Sequence, residues 1–232
     1  TKVCKQLGKE PKFVTSPSGI KSRYTDKETA EIFTMVMSGR INKTIVQMLQ
    51  KNGINAIGLS GVDARIIEAD RKKKLLIVNE KGRKQAIDGG YTGKIKNVNS
   101  EFIKSLLKQG LTPVISPIAI SEESEFLNVD GDRAAAYVAG SVGSDKVLFI
   151  TNVDGLLMDD KVVPKLTLAE AKEIRPKIGP GMEKKILAST EALDMGVKQA
   201  FIANGQKENP ISSAISHDNC TVIEHEWRST HG

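Results

Sequence analysis

The chain has 232 residues, of which 39% are hydrophobic and 27% are charged, an ordinary composition for a globular protein. This length is sufficient for one large domain or for two lobes. No apolar run approaches the roughly 18 residues of a membrane-spanning helix, and no secretory signal opens the chain, so we expect neither a membrane protein nor an exported one. Cys4 and Cys220 match no metal-binding spacing, and free thiols are typical of the reducing cytoplasm.

The first predicted helix begins near Thr25 and Glu28, which match the Thr-x-x-Glu pattern of a capping box. Apolar residues from Ile41 to Leu49 then form one face of a second helix, which Gly53 ends. Helices and short apolar strands alternate along the rest of the chain. The helices are predicted over 100–109, 132–140 and 183–195, and the strands over 54–59, 113–115, 147–150 and 199–203.

This alternation predicts an α/β protein, a three-layer α/β/α sandwich with a mainly parallel central sheet. Ligands of such folds bind beyond the carboxyl ends of the strands, so polar residues that follow strands are candidates for a site. Ser60, Asn128, Asn152 and Asn204 fall at such positions. We expect two lobes with a boundary near Gly143. Residues 228–232 continue no pattern and are interpreted as a tail of the kind that a cloning vector adds.

A basic segment lies between residues 71 and 96. Leu75–Val78 and the turn Lys81-Gly82-Arg83 predict a β-hairpin within it. The segment contains nine Lys and Arg residues against two acidic ones, whereas the whole chain has a net charge of only +6, so the positive charge is local. The patch is either a solvated hairpin or a docking surface for an acidic partner. Nucleic acid is not favoured, because Tyr91 is the one aromatic residue available for stacking on bases.

Three polar residues crowd the turn at residues 128–132, directly before a helix of small residues. A helix N-terminus needs a single capping side chain, and Asp130 can provide it. Asn128 and Asp132 then remain for other chemistry. The alternative is an ordinary helix start, because acidic residues are common in the first turn of helices.

A glycine-rich turn at residues 179–186 opens another helix with Lys184 and Lys185 in its first turn. Backbone N–H groups at such a turn can bind phosphate. The helix dipole disfavours cations there, so the two lysines indicate a bound anion that compensates them, unless both are simply solvated. The Gly-x-x-x-x-Gly-Lys-Ser/Thr pattern is absent from the chain, so any ATP site is not a P-loop.

Arg23 lies just before the N-terminus of the first predicted helix. A guanidinium beside free backbone N–H groups is suited to binding a carboxylate through two hydrogen bonds. The alternative is an ordinary surface arginine.

These three segments, in the order in which they occur along the chain, resemble the amino acid kinase family, and within it acetylglutamate kinase and its relatives. Those enzymes phosphorylate a side-chain carboxylate with ATP. Further matches are the strand–turn at 148–156 and the segments at 58–63 and 110–115, and the resemblance extends over about residues 5 to 223. It implies the amino acid kinase fold, with a substrate-binding lobe over 1–143 and a nucleotide-binding lobe over 144–227.

A finer resemblance, to the LysW-aminoadipate kinase branch, rests on the motifs at 22–26, 90–93, 128–132 and 208–211. Members of that branch act on aminoadipate, and in archaea also on glutamate, whose amino group is attached to the acidic carrier protein LysW. They serve lysine biosynthesis and, in bifunctional forms, arginine biosynthesis. Two alternatives stay open: acetylglutamate kinase acting on free N-acetylglutamate, and a non-catalytic protein that binds the carrier or a nucleotide.

The resemblance also implies roles for individual residues. Lys185 would stabilise charge on the transferred phosphoryl group and Asp132 would hold the ammonium groups in place. Arg23 and Asn128 would bind the α-carboxylate region of the substrate. The expected nucleotide-binding residues are Thr151, Asn152, Gly155, Leu156, Ile178, Gly181 and Met182. The expected carrier-binding residues are Lys72, Lys73, Lys74, Lys94 and Lys96.

The same resemblance implies ATP and Mg²⁺, with the ion held mostly by phosphates and water rather than by protein ligands. Relatives commonly form homodimers across the helix equivalent to 40–52. One feature departs from the family pattern. Members begin with a strand carrying Lys-x-Gly-Gly, and a later strand ends in His-Gly-Gly-Gly. The opening residues here, 1–8, resemble the helix after that second loop, so we expect the family's opening segment to be missing from this chain.

Overall fold

The structure is a computed structural model that describes residues 2–17, 19, 21–79, 81–159, 161–179 and 181–226, without the side chains of Lys2 and Lys21. The predicted tail, 228–232, lies outside the described residues. The chain forms two compact units, Thr1–Gly131 and Asp132–Gly232. The division precedes the boundary expected near Gly143, because alanines of the intervening helix belong to the core of the second unit.

The first unit contains short helices and many strands. Its helices are α1 (Lys2–Gln6), α2 (Lys27–Thr34), α3 (Asn42–Lys51) and α4 (Ser100–Lys108). Its strands are β1 (Phe13–Thr15), β2 (Lys21–Arg23), β3 (Ala56–Ser60), β4 (Ile67–Arg71), β5 (Lys74–Val78), β6 (Lys84–Asp88), β7 (Gly93–Val98), β8 (Thr112–Ser116), β9 (Ile118–Ile120) and β10 (Phe126–Asn128). A π-helix of seven residues, Met35–Ile41, joins α2 to α3.

Strand pairing in the first unit is both parallel and antiparallel. β3 and β8 pair in parallel, and the buried side chain of Asn42 donates hydrogen bonds to the carbonyls of Leu59 in β3 and Val114 in β8. The remaining strands form two sheets with the orders β2-β1-β5-β6 and β10-β9-β4-β7. The predicted hairpin is confirmed as the antiparallel pair β5–β6, in which Lys74 lies opposite Asp88.

The N-terminus of α2 differs from the expectation. Asp26, not Thr25, is the N-cap, and its carboxylate accepts a hydrogen bond from the Thr29 amide at 2.9 Å. The capping box predicted from Thr25 and Glu28 is therefore wrong. A carboxylate interacts more favourably than a hydroxyl with the positive end of the helix dipole. Thr25 is instead buried and accepts a hydrogen bond from Asn128.

The second unit is built around one mixed sheet. Its helices are α5 (Gly131–Val142), α6 (Leu168–Ile174), α7 (Met182–Asp194) and α8 (Pro210–Ile215). Its strands are β11 (Lys146–Thr151), β12 (Leu157–Met158), β13 (Lys161–Val162), β14 (Lys165–Thr167), β15 (Gln199–Asn204) and β16 (Cys220–Glu224). In the order β11-β15-β16-β14, the outer pairs are parallel and the central pair is antiparallel.

The core of the second unit lies between this sheet and helices α5, α6 and α7, and includes Phe149, Ile186, Leu193 and Ile202. Helices α5 and α7 approach closely, because a side chain at Gly140 would meet Met195. β11 and β15 run in parallel with Thr151 opposite Asn204, so the loops that follow them begin side by side. The predicted α/β class is confirmed.

Candidate active site

A cavity of about 250 Å³ in the first unit contains both predicted substrate-binding residues. Its polar lining includes Arg23, Thr25 and Asn128. The other lining residues are mostly apolar and come from the first three helical segments: Val3, Cys4, Thr29, Ile32, Phe33, Val36 and Met37. A cavity with an apolar floor and few polar groups is the usual form of a small-molecule site.

Strand ends position the polar side of this cavity. Arg23 is the last residue of β2, where it pairs with Phe13 of β1, and it precedes α2 by a few residues. Asn128 is the last residue of β10, and its side-chain amide donates to the Thr25 hydroxyl at 3.2 Å. This contact fixes the Asn128 amide against a buried threonine, so the predicted pairing of Arg23 and Asn128 around one ligand is geometrically consistent within the unit.

A second cavity, of about 540 Å³, lies in the second unit and collects the other predicted site residues. All seven predicted nucleotide-binding residues line it, together with Lys185 and Asp132. Among the described residues, Val153, Leu157, Gly179 and Lys184 also line it. The first residues of α7, a helix of 13 residues, form part of this lining, and helix N-termini are frequent sites of anion binding.

Lys185 and Asp132 form an ion pair on the wall of this second cavity. The Lys185 ammonium lies 2.9 Å from both carboxylate oxygens of Asp132, and the two side chains are 17% and 27% exposed. Asp132 lies in the first turn of α5 and Lys185 in the first turn of α7. The structure thus brings Lys185 and Asp132 together at one cavity, in the contact that the resemblance implied between Asp132 and an ammonium group.

Two glycines shape the same cavity. Gly181 precedes α7 with a φ of 99°, and Gly155 has a φ of 153°, both in the region that favours glycine. A side chain at Gly155 would also collide with Thr221. Residue 180, between the glycines of the predicted phosphate-binding turn, lies outside the described residues.

The loop after β11 is held from two sides by residues that sequence reasoning missed. The Thr221 hydroxyl accepts a hydrogen bond from the Leu156 amide at 2.8 Å and donates to the carbonyl of Val163. On the other side, the Lys207 ammonium lies 2.8 Å from Asp154 and holds the pKa of that carboxyl below its usual value. A threonine between apolar residues of β16 was the available signal for Thr221, since a buried hydroxyl needs a partner.

A second ion pair between α5 and α7 was also missed. Arg133 binds Glu191 through two nitrogen atoms, at 2.8 and 2.5 Å, and this hydrogen bonding raises the pKa of the guanidinium. The pair lies beside Asp132 and Lys185, so two ion pairs connect the helices that carry the charged groups of the cavity. Sequence spacing gives no signal for it, because the two residues are far apart along the chain.

The predicted carrier-binding lysines are exposed. Lys72 and Lys73 lie between β4 and β5, Lys74 begins β5, and Lys94 and Lys96 lie on β7. Arg71, counted with them in the basic segment, is different. Its guanidinium binds Glu125 at 3.0 Å and the carbonyl of Gly90 at 2.8 Å, so we remove it from the docking surface.

Within the ranges that the structure describes, no group of three or more His, Cys, Asp or Glu residues is arranged to hold a metal ion. In the same ranges, no helix has both the length and the apolar character needed to cross a bilayer.

The sequence pattern of the amino acid kinase family matches residues 2–204, and the chain belongs to this family. A protein of Nitrosopumilus maritimus, provisionally named a LysW-aminoadipate/LysW-glutamate kinase, is 95% identical over 97% of this chain and 85% of its own length. The LysW-aminoadipate/LysW-glutamate kinase of Sulfolobus acidocaldarius is 48% identical over 97% of this chain and 85% of its own length.

Solved structures support the same fold. The chain superposes on N-acetylglutamate synthase of Neisseria gonorrhoeae with a TM-score of 0.74 and 21% identity, over 100% of this chain and 51% of that protein. The match shows the fold, which is that of the amino acid kinase family.

Proposed function

We propose that this protein uses ATP to phosphorylate the side-chain carboxylate of aminoadipate, of glutamate or of both, attached through the amino group to the carrier LysW. The proposal rests above all on the Lys185–Asp132 pair at the glycine-bounded cavity of the second unit. The names of the relatives at 95% and 48% identity support the choice of substrate. Lysine biosynthesis, arginine biosynthesis and a cytoplasmic location belong to the same proposal.

The reaction transfers one phosphoryl group. A carboxylate oxygen of the substrate forms a bond to the γ-phosphorus of ATP, the bond from that phosphorus to the bridging oxygen breaks, and ADP leaves with the electron pair. The product is an acyl phosphate. Phosphoryl transfer depends on alignment and on neutralising charge, with little covalent chemistry for the protein to do. Lys185 would supply positive charge to the transferred group, and Asp132 would keep the ammonium in position.

The second cavity has the properties that a nucleotide site requires. Its volume of about 540 Å³ and its lining by Gly155, Gly181 and the first turn of α7 are suited to phosphate groups. Mg²⁺, when bound with ATP, neutralises phosphate charge. Asp132 is already paired with Lys185, so we assign the ion to phosphate oxygens and water.

Arg23 and Asn128 would orient the substrate in the first cavity. The guanidinium of Arg23 can bind the α-carboxylate through two hydrogen bonds, and the amide of Asn128 is held by Thr25. The apolar floor provides a surface for the methylene groups of either substrate.

The exposed lysines at 72–74, 94 and 96 would dock the acidic carrier. Complementary charge raises the rate of association and selects the partner. This surface favours a carrier-linked substrate over free N-acetylglutamate, because a small molecule in the cavity gains little from lysines on an exposed hairpin.

A homodimer is part of the proposal. Ile41, Ile45 and Met48 form an apolar stripe at helical spacing and are 40%, 41% and 61% exposed. A stripe of this kind on a soluble protein is a candidate interface.

The proposal is tested by incubating the chain with ATP and LysW-linked aminoadipate or glutamate, with free N-acetylglutamate as the comparison. Hydroxylamine traps the acyl phosphate as a hydroxamate, and ADP is measured in parallel. The chain is assayed as printed and also joined to the opening segment of the Nitrosopumilus relative. Hydroxamate formed from the carrier-linked substrates supports the proposal.

Two other outcomes favour the alternatives. A higher kcat/KM for free N-acetylglutamate would identify an acetylglutamate kinase. Binding of the carrier and ATP by both chains without any product would identify a non-catalytic binding protein.

A further inference from the structure

Arg71 ends β4 and occupies a position unlike that of the neighbouring lysines. Its Nε donates to the carbonyl of Gly90 at 2.8 Å, and its Nη1 binds Glu125 at 3.0 Å. The guanidinium also lies 4.2 Å from the centre of the Tyr91 ring and 3.6 Å from Asp88. Three of these contacts fix the turn Asp88–Tyr91 at the base of the hairpin, and the fourth ties the same planar group to Glu125.

The turn that Arg71 holds is packed tightly on its other side. Gly90 has a φ of 62°, and a side chain there would collide with the carbonyl of Thr25. A side chain at Gly89 would collide with the backbone of Lys72. The Gly90 amide also donates to the Asp88 carboxylate at 2.8 Å. This packing requires glycine at both positions and accounts for the first glycine of the Gly90-Tyr91-Thr92-Gly93 motif.

The backbone of Tyr91 connects this turn to the substrate cavity. Its amide donates to the carbonyl of Thr25 at 2.7 Å, and its carbonyl accepts from the amide of Asn128 at 2.8 Å. The side chain of Asn128 then closes the loop by donating to the Thr25 hydroxyl. Both Thr25 and Asn128 line the cavity, whereas Arg71 and Tyr91 do not.

We propose that Arg71 is a positioning residue for the substrate cavity, acting through the Gly90–Tyr91 backbone on Thr25 and Asn128. The inference rests on the proposed function for its kinetic consequence. The contacts with Gly90 and Glu125 require a planar fork, so a lysine that keeps the charge does not replace the arginine.

The test compares Arg71→Lys and Arg71→Gln with Lys73→Gln, an exposed neighbour in the same segment. Loss of charge-assisted hydrogen bonds of this kind is expected to raise the KM for carrier-linked aminoadipate about tenfold or more in both Arg71 variants. The KM for MgATP should stay close to the wild-type value, while the melting temperature should fall by about 10 °C at most, because an arginine with several contacts is lost. Arg71→Lys should also leave the association rate of the carrier and its salt dependence unchanged, whereas Lys73→Gln should lower that rate.

A second measurement does not depend on turnover. Amide hydrogen exchange at Tyr91 and Asn128 should be about tenfold faster in Arg71→Lys than in the wild type, because the Gly90–Tyr91 backbone, which carries one of these amides and accepts from the other, loses its support. Lys73→Gln should leave both rates unchanged. Unchanged exchange in Arg71→Lys, or an exchange increase spread over the whole chain, would overturn the inference.

The two proposals fail in different ways. If the wild type does not phosphorylate carrier-linked substrates, the proposed function fails, and the exchange rates still decide the role of Arg71. If the wild type is active and Arg71→Lys matches it in both KM and exchange, the inference about Arg71 fails alone. A salt-dependent loss of association rate in Arg71→Lys would instead make Arg71 a docking residue.

Discussion

The ammonium group of Lys185 lies at the same distance, 2.9 Å, from both carboxylate oxygens of Asp132. Asp132 occupies a first turn of a helix, where a negative charge is favourable, whereas Lys185 occupies one where a positive charge is not. The Asp132 carboxylate therefore offsets the unfavourable interaction of the Lys185 charge with the dipole of α7. An incoming phosphate offers the same compensation at the same ammonium, which explains how a cation can be kept at a helix N-terminus before its ligand arrives.

Replacing Lys185 by alanine is expected to lower kcat about 100- to 1,000-fold with little change in KM, by analogy with the loss of one transition-state hydrogen bond. Steady-state kinetics of acyl phosphate formation measure both parameters. Lys172→Ala is the matched control, because it removes an exposed ion pair, 2.8 Å from Asp194, elsewhere in the same unit. A loss of similar size in the control would point to stability rather than catalysis.

Lys184→Ala should have a clearly smaller effect than Lys185→Ala. Both lysines line the cavity, but adjacent helical positions point about 100° apart, and Lys185 is the one bound by Asp132. Lys184 is expected to act through the KM for MgATP as an additional phosphate contact. Equal losses of kcat in the two variants would contradict the assignment of Lys185 to the transferred group.

Arg23→Lys should raise the KM for the carrier-linked substrate roughly tenfold or more and leave kcat close to the wild-type value, because the fork is lost while the charge remains. Arg40→Lys makes the same change at an exposed position of the π-helix and serves as the control. Initial rates over a range of carrier concentrations distinguish the two variants. An unaltered KM in Arg23→Lys would show that Arg23 is an ordinary surface arginine and does not bind the substrate carboxylate.

Reversing Lys72, Lys73 and Lys74 to Glu should slow association with the carrier and leave MgATP affinity unchanged. Stopped flow at several salt concentrations measures this rate, and salt should slow the wild type as well, since the Debye length is about 10 Å at 0.1 M. Reversal of Lys51, Lys108 and Lys177, all exposed, makes the same change in net charge away from the hairpin. Equal slowing by both triple variants would attribute the effect to net charge and not to docking.

Ile45→Asp or Met48→Asp should convert a dimer to a monomer, because a two-fold interface places the new charges of both partners in one apolar patch. Multi-angle light scattering reports the mass directly. Ile211→Asp introduces the same charge at an exposed apolar position of α8 and should leave the mass unchanged. A wild type that is already monomeric at the highest concentration measured would remove the dimer from the proposal.

Much of the site could be predicted from sequence because it depends on local chemistry. Glycine turns, helix starts and strand ends are encoded by neighbouring residues, and these features indicated the segments around Asn128, Thr151 and Gly181. The residues that connect segments could not be predicted in this way. Arg133 and Glu191 are joined only by the packing of α5 on α7.

The charge of Arg71 illustrates the same limit. By sequence it belongs to a run of basic residues at 71–74, and in the structure its contacts turn it away from the exposed lysines that follow. Charge can be counted along the chain, whereas the direction of a side chain depends on tertiary contacts. The N-cap at Asp26 was missed for a related reason, because Thr25 is occupied by Asn128 from a distant strand.

The π-helix at Met35–Ile41 makes this segment sensitive to the deletion of a single residue. Such a segment contains more residues per turn than an α-helix. Val36 and Met37 from it line the substrate cavity, and Asn42 directly after it donates to backbone carbonyls of β3 and β8. Loss of one residue, such as exposed Gly39, would allow an α-helix to form and rotate α3 by about 100° against α2, which would separate Asn42 from its carbonyl partners. Single-codon deletions in this stretch should therefore be purged from natural variants, even where nearly any substitution at the same exposed position survives.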